Sequence, residues 1–339
     1  MREADMRKML RLLGLWVALV LGAAVVVPGT AEAVPGAAEA KGSQGIKVER
    51  REFPVRLSDG RSYKVVGYLY YQGSLKHRPV QILVHGITYN HAYWDLPEID
   101  GNAYSYARYM ARQQYAVLAL DLPGTGESDK PNGDFLNLAE SASAVHQVAQ
   151  RLRATAEKNT FETLVYVGHS NGALIATFAQ ALYHDAKAVV MTGWLNTRHE
   201  VPVDPAVLGA LAQQGPYIQV PGDLRSALFY DVPHADPDVI AYDNQVADNV
   251  TRGQFLDLLT MLGSPELIPV QGITVPILVQ LGENDLLASA SYAQNEAQAY
   301  PRSPFVWVDK VPDIGHAVNG HYLRMRSWVM IDAWLRLVT

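Results

Sequence analysis

The 339-residue sequence contains no cysteine. That absence excludes disulfides, a thiolate nucleophile, iron–sulfur clusters and cysteine-ligated zinc. Basic residues are scarce as well: 28 Lys and Arg stand against 34 Asp and Glu, a formal charge of −6, so binding of nucleic acid through a general electrostatic footprint is not expected. No repeat at the roughly 20–50-residue periods of solenoids is visible. His77, His91, His146, His184, His199 and His234 show no H-E-x-x-H and no close paired spacing, so no catalytic metal is expected. They read as surface or packing residues. Gly124-x-Gly126 is followed by Asp129 where a dinucleotide fingerprint needs Gly or Ala, and no Walker A sequence exists. What is abundant is apolar side chain, at 49% of the chain, enough to bury one large domain.

Arg2, Arg7, Lys8 and Arg11 precede an uncharged stretch, Leu12 to Ala31, which ends near Ala31-Glu32-Ala33. This is the pattern of a secretory signal over residues 1–33, with Ala38-Glu39-Ala40 as a second cleavage candidate. The same stretch left uncleaved would be a membrane anchor. With cleavage, no stable membrane insertion and a secreted or extracytoplasmic location are expected. Residues 34–45, rich in Ala, Gly, Pro and Ser, read as a flexible linker.

From Ile46 onward, short apolar runs alternate with helix-length segments. Ile46–Leu57 and Ser62–Tyr71 fit an antiparallel hairpin. Val80–His85, Tyr115–Leu120, Thr163–Val167, Ala188–Thr192, Pro276–Leu281 and Phe305–Val308 are near-continuous apolar runs, the signature of strands covered on both faces. Helices are predicted over Ala103–Gln114, Leu136–Ala156, Asn171–His184, Ser289–Tyr300 and Gly320–Leu337. The alternation predicts an α/β fold with a doubly wound, mostly parallel sheet and ligands beyond the carboxyl ends of its strands. The interval 194–272 is too long for a connection and reads as an inserted cap, leaving 46–193 and 273–339 as the core.

The stretch Leu164-Val-Tyr-Val-Gly-His-Ser-Asn-Gly-Ala-Leu places Gly168-x-Ser170-x-Gly172 between a strand and a helix. A serine on so sharp a turn needs small neighbours two residues away on either side. The turn would lift the Ser170 hydroxyl to the sheet edge and leave the Asn171 amide at a helix N-terminus, where it can serve an oxyanion. A free serine is a poor nucleophile, so a base and an orienting acid should follow. Asp285, with Glu283 beside it, leaves the end of a strand, and His316 lies on a loop after the last strand. His321 competes with His316 as the base, and Asp309 or Asp313 with Asp285. His85 and His169 flank the site as supporting groups.

The order Ser170, Asp285, His316 resembles that of the α/β-hydrolases with a cap, and residues 46–339 are similar to that family. Leu83-Val-His85-Gly86-Ile87-Thr88 resembles its oxyanion loop, which implies that the Ile87 amide joins Asn171. Asp121-Leu-Pro-Gly-Thr-Gly-Glu-Ser-Asp-Lys-Pro131 resembles a segment that shapes the family's architecture without doing chemistry. Serine at the elbow, where related dehalogenases and epoxide hydrolases carry Asp, implies acyl transfer. The Gly-Gly-Gly loop of many lipases is absent. The resemblance implies a serine hydrolase acting without a cofactor on a small hydrophobic ester, lactone or thioester. A proline-type aminopeptidase or a carbon–carbon bond hydrolase with the same triad is the alternative, as is a non-catalytic ligand-binding protein. Trp194, Tyr89, Trp94, Phe229 and Tyr230 are candidate substrate-binding residues; a small cap core or packing against the hairpin would use aromatics equally well.

Overall fold

The computed structural model describes residues 45–154, 161 and 163–339. The leader expected over 1–33 and the linker expected over 34–45, save Gly45, lie outside them. Eight strands form one sheet: β1 (Ile46–Arg56), β2 (Ser62–Gln72), β3 (Val80–Val84), β4 (Ala116–Asp121), β5 (Leu164–His169), β6 (Ala188–Thr192), β7 (Ile277–Gly282) and β8 (Val306–Val311). Their order is β1-β2-β4-β3-β5-β6-β7-β8. The β1–β2 and β2–β4 pairs are antiparallel and all others are parallel.

The buried strands read as unbroken apolar runs because alternate side chains feed two separate cores. Ile82, Val84, Tyr166, Val189 and Val279 point into one core with the helices α2 (Leu138–Ala154) and α3 (Asn171–Tyr183). Leu83, Val165, Val167, Val190 and Leu278 point into the other, against α1 (Tyr106–Arg112) and α9 (Arg324–Val338). In α2 the residues Leu138, Ala142, Val145, Ala149 and Leu152 recur at three- and four-residue spacing and supply its core face.

Between β6 and β7 the chain makes four helices: α4 (Pro205–Ala212), α5 (Gly222–Phe229), α6 (Pro237–Gln245) and α7 (Arg252–Gly263). Leu211, Ile218, Val250 and Phe255 form a small apolar cluster of their own there. Three helix expectations need correction. Helix α1 starts at Tyr106, because the Ser105 side chain caps it by accepting from the Arg108 amide. The segment Ser289–Tyr300 breaks into a 3-10 turn, Ala290–Tyr292, and the one-turn helix α8 (Ala293–Glu296); Pro301 disfavours helical backbone at Tyr300. His321 precedes α9 instead of opening it, held in an isolated bridge with Ala235.

The parallel strands end in register, with Val84 opposite Gly168, His169 opposite Thr192, and Thr192 opposite Gln280. One sheet edge therefore carries the segments after β3, β5, β6, β7 and β8.

Candidate active site

Ser170 sits between β5 and α3 with φ 54° and ψ −126°. A non-glycine residue in that region is strained and persists only where its surroundings hold it. Here the Ser170 amide donates to the Thr192 carbonyl at 2.9 Å, and the Ser170 carbonyl accepts from the Ala173 amide at 2.8 Å. The flanking glycines are required by contact. A Cβ on Gly172 would lie 2.1 Å from the Val84 carbonyl oxygen, and one on Gly168 would lie 2.5 Å from the Ala173 Cα. The loop after β3 is equally close, since a Cβ on Gly86 would lie 2.9 Å from the Ser170 Cβ. Ile87 and the first-turn amide of α3 at Asn171 thus flank the serine.

Just beyond β7, Asp285 is buried and accepts from the Leu287 and Ala288 amides at 2.8 and 3.0 Å. His316, on the loop between β8 and α9, donates from Nδ1 to its carboxylate. Burial alone would raise the Asp285 carboxyl, but the facing imidazole and the two amides hold it below the ordinary range. With Nδ1 engaged, Nε2 is the basic nitrogen of the ring, and it is buried with no hydrogen-bond partner among the described residues. Ser170 and His316 line the same cavity.

The rival groups are occupied elsewhere. Glu283 is exposed, Asp309 accepts from Gln280 at 3.0 Å, and Asp313 faces His234 at 3.7 Å. His321 donates from Nδ1 to the Ala317 carbonyl, while its Nε2 accepts from the Gly315 and Asp231 amides. It braces the segment on either side of His316. His85 holds the loop after β3 through the Gly86 carbonyl and Thr125, and burial pushes its imidazole down. His169, stacked on Tyr93, lies 5.0 Å from the His316 ring and is pushed down by burial and by that neighbour. At the end of β4, Asp121 accepts from the backbone and ring of His91 and from the Glu127 amide, an architectural role.

The cavity has a volume of about 650 Å³. Its floor is Ser170, His316, Ile87, Thr88 and Gly193, and its walls are almost wholly aliphatic: Val201, Val203, Leu208, Leu211, Val220, Leu224, Leu228, Leu259 and Leu262. Trp194, Phe229 and Phe255 add aromatic surface and His199 one polar ring. Among the residues that line it there is no carboxylate, lysine or arginine.

Residues 81–326 match the family described as the alpha/beta hydrolase family. The chain belongs to the alpha/beta hydrolase family. No curated protein sequence matches this hydrolase. Among solved structures it is similar to a thermophilic esterase from Thermogutta terrifontis, at 19% identity, TM-score 0.61, over 86% of this chain and 99% of that one. It is similar to an enol-lactonase from Burkholderia xenovorans at 16% identity, TM-score 0.63, covering 83% and 99%. An esterase from Exiguobacterium antarcticum shares 15% identity at TM-score 0.64, covering 84% and 100%.

Of the aromatics read from the hydrolase sequence as substrate-binding, Trp194 and Phe229 line the cavity, and three do not. Trp94 is buried against Tyr93 and Tyr106 in the core beneath α1. Tyr230 stacks on His321 and packs against Gly320. Tyr89 packs among Tyr93, Phe229 and Arg225. In each case packing in the core removes the ring's large apolar surface from water. His199, read as a surface or packing residue, is a wall residue instead. Much of the aliphatic wall comes from two runs visible in the sequence, Pro205-Ala-Val-Leu-Gly-Ala-Leu-Ala212 and Phe255-Leu-Asp-Leu-Leu-Thr-Met-Leu262.

Proposed function

We propose that this hydrolase cleaves neutral carboxylic esters, lactones or thioesters whose acyl or alkyl part is aliphatic, through a Ser170–His316–Asp285 triad. The observation that carries this reading is the aliphatic cavity with Ser170 and His316 at its floor. Ser170 Oγ attacks the carbonyl carbon while His316 Nε2 takes its proton. Asp285 fixes the imidazole tautomer and stabilises the imidazolium. The Ile87 and Asn171 amides donate to the tetrahedral oxyanion, each such donor being worth about 3–4 kcal/mol. Collapse expels the leaving oxygen, or the sulfur of a thioester, which takes the proton from Nε2; water then attacks the acyl-enzyme as His316 takes its proton, and Ser170 Oγ departs with that proton, releasing the acid. No step calls for a cofactor.

The α4–α7 segment acts as the cap that supplies the cavity walls. An aminopeptidase would need a carboxylate for the substrate ammonium, and of Glu200, Asp204, Asp223, Asp231, Asp236 and Asp238 none lines the cavity. Export rests on the basic start, the uncharged run and Ala31-Glu32-Ala33; the mass of the mature N-terminus tests it. The triad is tested by labelling the full chain with a fluorophosphonate probe. Labelling that vanishes in Ser170→Ala and His316→Ala supports the reading, whereas a folded parent that neither labels nor turns over p-nitrophenyl esters sinks it.

A further inference from the structure

Arg225 on α5 is a fully buried cation, 1% exposed, and so is its partner Asp243 on α6. Its Nη2 donates to Asp243 Oδ2 at 2.9 Å, and Nη1 donates to the Asp243 carbonyl at 3.1 Å and to Asn244 Oδ1 at 2.7 Å. The guanidinium also lies over the rings of Tyr89 and Phe229, 5.1 and 5.6 Å from their centroids. A buried ion pair is a poor way to gain stability, since apolar residues of like volume serve as well or better. Its use lies in what else it holds. The remaining Nε donates to Thr88 Oγ1 at 2.9 Å.

Thr88 directly follows Ile87, lines the cavity floor, and has a φ of 64°. A β-branched residue in the left-handed region is a strained one that its surroundings must hold. The α4–α7 segment holds it from two sides: Arg225 binds the hydroxyl, and the Asp248 amide donates to the Thr88 carbonyl at 2.9 Å. The Asp248 carboxylate in turn accepts from the Gly126 amide in the segment after β4. The strained turn that carries the Ile87 amide is thus fastened to the helices above it.

We infer that Arg225 is a positioning residue: held rigid by Asp243 and Asn244, its Nε fixes the Thr88 hydroxyl and so aims the Ile87 amide at the developing oxyanion. This rests on the ester-hydrolase reading above. The α4–α7 segment then does more than enclose the substrate, because one of its side chains completes the oxyanion loop. Losing the Nε–Oγ1 bond loosens an interaction realised in the transition state, so it lowers kcat and leaves KM nearly unchanged.

Deleting Arg225 would strand Asp243 and endanger folding, so the test uses milder changes. Thr88→Val keeps the β-branch and removes the hydroxyl, Thr88→Ser keeps the hydroxyl, and Arg225→Lys keeps the charge but not the planar fork. On a p-nitrophenyl ester, kcat should fall about tenfold or more in Thr88→Val with KM within about twofold, and Thr88→Ser should restore most of it. Arg225→Lys should lower kcat in the parent and add little in the Thr88→Val background. Amide hydrogen exchange over residues 86–89 should quicken in Thr88→Val and Arg225→Lys, a readout independent of turnover. Unchanged kcat with unchanged exchange, a rise in KM alone, or fully independent effects of the two changes would overturn the inference. A Ser170→Ala variant as active as its parent would instead sink the triad, and the exchange measurement would still decide the role of Arg225.

Discussion

The Asp285 carboxylate meets His316 Nδ1 with both oxygens, at 3.1 and 3.0 Å, in a pair of which neither member is more than 3% exposed. Oδ1 is also tied to two backbone amides, so the carboxylate cannot turn away from the ring. Asp285→Asn should preserve this packing while offering an amide where the imidazole N–H expects an acceptor, which favours the wrong tautomer. Turnover of a p-nitrophenyl ester should then fall by about 10⁴-fold. Thermal unfolding measured beside it separates this from collapse of the site. A fall below about tenfold with the fold intact would count against Asp285 as the orienting acid.

The aliphatic walls make chain length a direct probe. Each methylene moved from water into such a cavity contributes about 0.8 kcal/mol, so kcat/KM should climb about threefold to fourfold per carbon from acetate until the space is filled. Val220→Trp should shorten that series, reducing turnover of the longer esters while sparing acetate. Aminoacyl p-nitroanilides should be poor substrates, because the cavity lining offers no carboxylate to an ammonium group. A flat chain-length profile, or faster anilide turnover, would exclude the substrate class.

The parts of this molecule that the sequence made legible are those where local chemistry decides the outcome. The apolar runs marked the buried strands because each strand feeds both cores. The elbow was legible because Gly168 and Gly172 each lie where a Cβ would strike backbone. The places of Asp285 and His316 after two strands are legible, yet spacing leaves Asp285 and Asp309 as alternatives. Their different partners, His316 for Asp285 and Gln280 for Asp309, arise only in the assembled sheet. The cavity walls are not legible from aromatic residues, because Tyr230 and Trp94 pack in the core and leucines supply much of the walls. The bond between Arg225 and Thr88 joins residues 137 positions apart, and no local pattern announces it.

His321 offers a prediction that concerns stability instead of turnover. Its ring is wholly buried, and because Nε2 accepts from the Gly315 and Asp231 amides while Nδ1 donates, the arrangement needs the neutral form. Burial pushes the imidazole down from 6.5 to about 4. In the unfolded chain the ring takes up a proton near its ordinary value, whereas in the folded chain it resists until about pH 4. Its contribution is therefore complete above about pH 6.5 and is lost as the pH falls towards 4, an amount of about 3 kcal/mol. His85 and His169, also pushed down, act in the same direction, so only the difference between variant and parent isolates His321. Urea unfolding of the parent and of His321→Gln at about pH 7 and about pH 4.5 should show the smaller loss in the variant, by about 2 to 3 kcal/mol. Parallel losses in the two proteins would mean that His321 is charged or exposed in the folded state, and the brace on the His316 loop would have to be sought in other contacts.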